Sequence, residues 1–227
     1  MYLKRELMAE LKVWKASDKR KPLVLKGARQ VGKTVLLQEF GRTCFSHMVY
    51  LNFDRDRKLA SYFTDTIDVK TILSALSILF DTEITTETLI FFDEIQECPR
   101  ALASLKYFCE DASEYPVVAA GSFLGIALHP GTSYPVGKVQ ELELFPMTFL
   151  EFMEATGNER YAVLARSCDI DMISAFHGTF IQLLRLYYYV GGMPEAVAEY
   201  VSSQNFQTVR KIQETILSNY RDDMSKH

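Results

Sequence analysis

No apolar run in this 227-residue chain approaches the roughly 18 residues that a membrane-spanning helix needs, so no span is predicted. The first twenty residues are rich in Lys, Arg and Glu and carry no apolar secretion core, which argues against a signal peptide. Cysteine is scarce. Cys44, Cys98, Cys109 and Cys168 are scattered, none forms a C-x-x-C pair, and no His stands at ligand spacing. That pattern argues against zinc or a disulfide framework and predicts free, buried thiols in a reducing cytoplasm. Excess charge is also small: 25 Lys and Arg against 29 Asp and Glu leave −4, with no overall push toward nucleic acid or anionic lipid. Internal repeats, low-complexity tracts and long flexible linkers are missing. What remains is 48% hydrophobic, enough for a substantial core in one large domain or one domain with an appendage.

Against that background one stretch stands out. Gly27-Ala28-Arg29-Gln30-Val31-Gly32-Lys33-Thr34 reads G-x-x-x-x-G-K-T. Glycines at those places free the backbone so that successive N–H groups can turn around an anion. A helix opening directly after the loop adds its own unpaired amides. Lys33 brings a compact positive charge for the β- and γ-phosphates, and Thr34 a hydroxyl for Mg²⁺. The context agrees. Pro22 to Leu25 is a short apolar run of strand type, and Val35 to Phe40 has helical spacing, with Gly41 where a helix end is expected. The predicted nucleotide contacts are Gly27 through Thr34 together with Val35.

Further along, His47 to Phe53 reads as a second strand, Val69 to Phe80 as a helix, and Thr88 to Phe92 as a third, fully buried strand. That strand ends in Asp93-Glu94. Strands of an open parallel sheet end at the ligand crevice, so both acids should face the nucleotide. Asp93 is placed to support Mg²⁺, and Glu94, pointing elsewhere, to act as general base on the attacking water. Pro99 to Ala112 predicts a helix, Tyr115 to Ser122 a fourth strand and Lys138 to Phe145 a fifth, at an edge. From Thr148 the pattern is helical: 148–155, 159–168, 171–190, 194–202 and 206–223. Strands early and helices late predict an α/β domain over 1–147 followed by a helical lid over 148–227. The N-terminal segment 2–16 predicts an amphipathic helix with Leu3, Leu7, Leu11 and Trp14 on one face. Lys15, Lys19, Arg20 and Lys21 make a basic patch without interleaved aromatics, which reads as a solvated turn rather than a nucleic-acid surface.

These residues resemble a known family. The segments Lys21–Thr34, Leu89–Arg100, Leu105–Asp111, Ala119–Gly125, Pro135–Val139 and Tyr189–Glu195 are similar, in order and spacing, to the prokaryotic AAA-type P-loop ATPases of the AAA+ superfamily, in the group described as predicted ATP-binding proteins with an uncharacterised C-terminal domain. The resemblance implies a three-layer P-loop sandwich with strand order 5-1-4-3-2, ATP and Mg²⁺ as ligands, and hydrolysis coupled to conformational change. It implies that Lys33, Thr34, Asp93 and Glu94 take the roles above, that Ser122 is a polar sensor of the γ-phosphate, and that Asn52 restrains the catalytic glutamate. Gly191 to Pro194 matches a helical-lid turn. Members of the group continue into a further C-terminal domain, so the chain reads as a shortened form. Arg100, Arg160, Arg166 and Arg185 are the arginine-finger candidates.

The resulting expectation is a cytoplasmic ATPase that hydrolyses Mg-ATP to ADP and phosphate to drive a switch, with a homo-oligomer or another protein as partner. Two alternatives share the loop. A P-loop phosphotransferase would need a second acceptor site. A nucleotide-gated module with little hydrolysis would contact protein, or DNA through the missing C-terminal region. Tyr187, Tyr188 and Tyr189 could form such a contact surface, although core packing beside Val190 is the simpler expectation.

Overall fold

The computed structural model describes residues 2–63, 68–122 and 134–224. Five strands, β1 (Leu23–Gly27), β2 (His47–Asn52), β3 (Thr88–Asp93), β4 (Val117–Ser122) and β5 (Gln140–Glu143), form one sheet in the order β2-β3-β4-β1-β5. Every pairing is parallel, so this is the expected 5-1-4-3-2 arrangement. Composition explains the order. Strands β3 and β4 are buried at every position, as strands covered on both faces must be. The edge strand β5 instead exposes Gln140, Glu141 and Glu143, charged and polar groups that discourage further pairing.

Helices cover both faces. Val24, Val49, Leu51, Ile90, Phe92, Val117 and Ala119 share a core with α3 (Val69–Leu79) and α4 (Pro99–Asp111). The residues that alternate with them, among them Leu89, lie toward α2 (Lys33–Cys44) on the other face. Helix α1 (Leu7–Ala16) joins α2, with Trp14 and Phe40 at 6.2 Å between ring centroids. Gly41 does not end α2 as its type suggests. It lies inside the helix, and a Cβ there would come within 2.4 Å of Met48 Sδ, so glycine allows close approach to the sheet.

Contacts divide the chain into two compact units: Leu7–Ala28 with Lys33–Leu144, and Met1–Glu6 with Arg29–Gly32 and Phe145–His227. The first is the sheet with its flanking helices. Its basic patch serves the backbone: Arg20 donates to the Lys15 and Glu114 carbonyls and Lys21 to the Gly137 carbonyl.

The second unit carries α5 (Phe149–Ala155), α6 (Glu159–Ser167), α7 (Ile170–Ala175), α8 (His177–Val190), α9 (Pro194–Ser203) and α10 (Phe206–Met224). Thr148 and Glu151 form a reciprocal capping box at the start of α5. The single helix expected over 171–190 is broken at Phe176, two residues before the helix-disfavouring Gly178. The N-terminal helix begins at Leu7 rather than Tyr2. The reason lies in tertiary contacts: the Glu6 N–H is taken by Glu151 Oε1, and Leu3 is buried among Met147, Phe152, Val190 and Val197. Leu3 therefore does not share a face with Leu11 and Trp14. Of the three tyrosines only Tyr187 packs inward, against Phe149 and Phe152, while Tyr188 is 75% exposed. Consecutive helical residues point about 100° apart, so one face cannot hold all three.

The four cysteines are free, but only Cys98 is buried, and Cys168 is exposed. Among the described residues no helix is long and apolar enough to cross a membrane.

Candidate functional site

Because all five strands run the same way, their C-terminal ends meet at one edge of the sheet. The register aligns Gly27 of β1 with Ser122 of β4, and Asn52 of β2 with Asp93 of β3. That edge gathers residues from four strands that are scattered over nearly a hundred positions of sequence.

The loop after β1 runs directly into α2. Gln30 has φ +63° and Gly32 φ +93°, left-handed values that bend successive N–H groups toward one side. For Gly32 the glycine is required, since a side chain is strained at that torsion. Ala28, Arg29 and Gln30 are exposed, Val31 is buried, and Val35 on the first turn of α2 is 52% exposed. Lys33 is buried to 8% exposure, and its Nζ donates to the Gly27 carbonyl at 3.0 Å and the Ala28 carbonyl at 2.9 Å.

Asp93 is 2% exposed and surrounded by donors. The Thr34 hydroxyl donates to it at 3.0 Å, the Tyr50 hydroxyl at 2.8 Å, the Asn52 amide at 3.3 Å and the Glu94 N–H at 3.1 Å. These donors occupy the oxygens of a carboxylate that water cannot reach. Burial pushes the Tyr50 phenol up to about 12, opposed by the Asn52 amide and reinforced by the Asp93 carboxylate, so Tyr50 remains a donor throughout the physiological range.

Glu94 follows in a left-handed conformation, φ +50° and ψ +47°. For a residue with a full side chain that backbone costs of order 1–3 kcal/mol, and such strain clusters at functional positions. It turns the carboxyl away from the line of β3. Gln96, 4% exposed in the short 3₁₀ turn Ile95–Glu97, donates its amide to Glu94 Oε2 at 2.6 Å.

The structure thus brings Lys33, Thr34, Asp93 and Glu94 to the edge where Ser122 also ends its strand. Ser122 is buried there at 8% exposure. The contact between Asn52 and Glu94 implied by the resemblance is not made: the Asn52 amide goes to Asp93 and Tyr50, and its Oδ1 accepts from the Arg55 N–H. Two residues escape sequence reasoning. Tyr50 left a weak signal, since period-two alternation puts it on the same face as Asn52. Gln96 left none, because the turn that returns it to Glu94 has no periodicity. All four arginine candidates are exposed, and Arg166 is ion-paired with Glu6 and Glu154. Residues 123–125 of the resembling segment 119–125 lie outside the described residues.

The oxygens present suit one small hard cation. Thr34 Oγ1 and the Asp93 carboxylate stand together, and among the described residues no cluster of three or more His, Cys, Asp or Glu gathers to hold a metal alone. Mg²⁺ is bound in that manner, through one or two protein oxygens with phosphate and water completing the shell.

Comparison with family models agrees with this architecture. A family model described as "AAA domain" matches residues 19–153, and one described as a domain of unknown function matches residues 181–227. No curated protein matches the chain significantly. Solved structures that resemble it include the Aeropyrum pernix Orc1 protein in complex with DNA, at 17% identity and TM-score 0.43, covering 66% of this chain and 46% of that one. Others are Caenorhabditis elegans PCH-2, at 12% identity, TM-score 0.48 and coverage of 88% and 63%, and Pyrobaculum aerophilum Cdc6p, at 15%, 0.43 and coverage of 69% and 50%. The chain spans about half to three-fifths of the length of these structures.

Proposed function

Since the chain belongs to the AAA domain family, we propose that it binds Mg-ATP in the loop Gly27–Thr34 and hydrolyses it to ADP and phosphate, with the helical residues 148–227 responding to the nucleotide. Lys33 exchanges its loop carbonyls for phosphate oxygens. Thr34 and Asp93 would hold Mg²⁺, which when bound would supply positive charge to the phosphate oxygens. Tyr50 and Asn52 keep the Asp93 carboxylate oriented. Glu94 accepts a proton from the attacking water, and Gln96 holds the Glu94 carboxylate in place. Ser122 serves as a polar contact for the γ-phosphate.

The observation that carries this reading is the meeting of Thr34 and Asp93 at 3.0 Å with a backbone-strained glutamate next in sequence. A water acceptor is favoured over a second substrate because the carboxylate after Asp93 supplies a base within the loop's own site.

Titration calorimetry with Mg-ATP tests the binding step. Lys33→Ala is expected to weaken binding at least a hundredfold, because the lysine is the buried cation of the site. Parent-like affinity in that variant would remove the loop from the mechanism. Free phosphate released without an added acceptor separates hydrolysis from phosphotransfer. Gln96→Met is expected to lower kcat about tenfold or more with nucleotide affinity unchanged, the loss of one hydrogen bond to a charged group. Steady-state rates alongside equilibrium titration check that split.

A further inference from the structure

Two carbonyl groups of the phosphate loop are held by side chains far away in sequence. Arg5 Nη1 donates to the Val31 carbonyl at 2.8 Å, and the Tyr220 hydroxyl donates to the Arg29 carbonyl at 2.6 Å. All four residues belong to one compact unit. Arg5 is firmly placed. Its Nη2 donates to the Phe145 carbonyl at 2.5 Å and its Nε to Glu151 Oε1 at 3.1 Å, the two side chains being 5% and 4% exposed. Glu151 in turn accepts the N–H groups of Glu6 and Thr148. Swinging Arg5 away would leave a carboxylate buried without its cation.

Peptide geometry gives these two bonds their consequence. A trans peptide is planar, so a carbonyl and the N–H of the next residue point in opposite directions. Fixing the Arg29 carbonyl therefore aims the Gln30 N–H, and fixing the Val31 carbonyl aims the Gly32 N–H. Gln30 and Gly32 are the two loop residues with left-handed torsions between Ala28 and Lys33. Side chains outside the loop thus orient the amides that form its concave side. Pro194 lies beside the same loop: a Cβ built on Gly32 would meet its ring at an ordinary contact distance of 3.7 Å.

The geometry points to Arg5 and Tyr220 as positioning residues that couple the phosphate loop to the helix Phe206–Met224, so that a triphosphate in the loop and the docked helix stabilise each other. The coupling rests on the nucleotide binding proposed above. It gives a role to a helix inside the stretch that matches only a domain of unknown function. Linkage makes it reciprocal: if the Tyr220 bond strengthens nucleotide binding, nucleotide must strengthen the docking of the helix by the same factor.

Hydrogen exchange on the full chain, with and without Mg²⁺ and a non-hydrolysable ATP analogue, reads the second half of that statement. In the parent, the analogue is expected to slow exchange across 206–224 by about threefold to tenfold, the worth of one hydrogen bond. Tyr220→Phe should abolish that slowing and weaken the analogue by the same factor, with kcat at saturation within about twofold of the parent. Arg5→Lys should weaken binding in the same direction, because a single ammonium nitrogen cannot span the three acceptors that Nε, Nη1 and Nη2 of the guanidinium reach separately. Tyr220→Phe is decisive because this partly exposed hydroxyl is no part of the core. A parent that binds the analogue while exchange in 206–224 stays unchanged overturns the coupling alone, as does parent-like affinity in Tyr220→Phe. A parent that binds no adenine nucleotide overturns the proposed function and the coupling with it.

Discussion

Glu94→Gln is expected to lower kcat by about a hundredfold to ten-thousandfold while ATP affinity stays within about twofold of the parent. The substitution removes the capacity to accept a proton and little else. The new amide has the volume of the carboxylate, bears the same left-handed backbone cost, and can still accept the hydrogen bond of Gln96. Asp93 keeps its donors from Thr34, Tyr50 and Asn52, so the oxygens proposed for Mg²⁺ are untouched. Phosphate release under single-turnover conditions, beside an equilibrium titration, separates the two quantities. Hydrolysis at the parent's rate would show that the proton leaves by another route and that the strain at Glu94 serves some other end.

Phe92→Ala is expected to destabilise the fold by about 3–5 kcal/mol, the range for truncating a fully buried phenylalanine. Phe92 is 0% exposed on β3, which is paired on both sides. Its ring lies 5.8 Å from Phe53, 5.4 Å from Phe63 and 6.2 Å from Phe108, in edge-on arrangements that add to simple burial. These partners come from β2's end, the connection after it and α4, so no single neighbour can collapse into the space left. Urea unfolding should show a lower midpoint at an unchanged m-value. A loss below about 1 kcal/mol would mean the cluster repacks, contrary to the rigidity expected of a close-packed interior. Asp93 is the next residue, so this variant would also show how far the site depends on the packing behind it.

Much of this architecture could be read in advance because its signals are local. Continuous apolar runs marked β1, β3 and β4. The glycine loop between a strand and a helix marked the turn at the sheet's edge, and the acids after Phe92 marked a strand end. That Thr34 and Asp93 would approach each other followed from parallel strands ending on one side. Gly41 shows the limit: its type signals a helix end, yet the constraint there is Met48 lying against it.

By itself, then, the amino-acid order determined the strand succession, most of the helices and the loop that joins β1 to α2, because each rests on torsions and periodicities contained within a few residues. Only the tertiary structure decided the pairings of buried polar groups: Arg5 with Glu151 and Val31, Tyr220 with Arg29, Tyr50 with Asp93, and Asn52 with Asp93 instead of Glu94. A buried donor takes whichever acceptor the packed chain brings within about 3 Å. For residues as far apart in sequence as Arg5 and Glu151, no local pattern records which acceptor that will be.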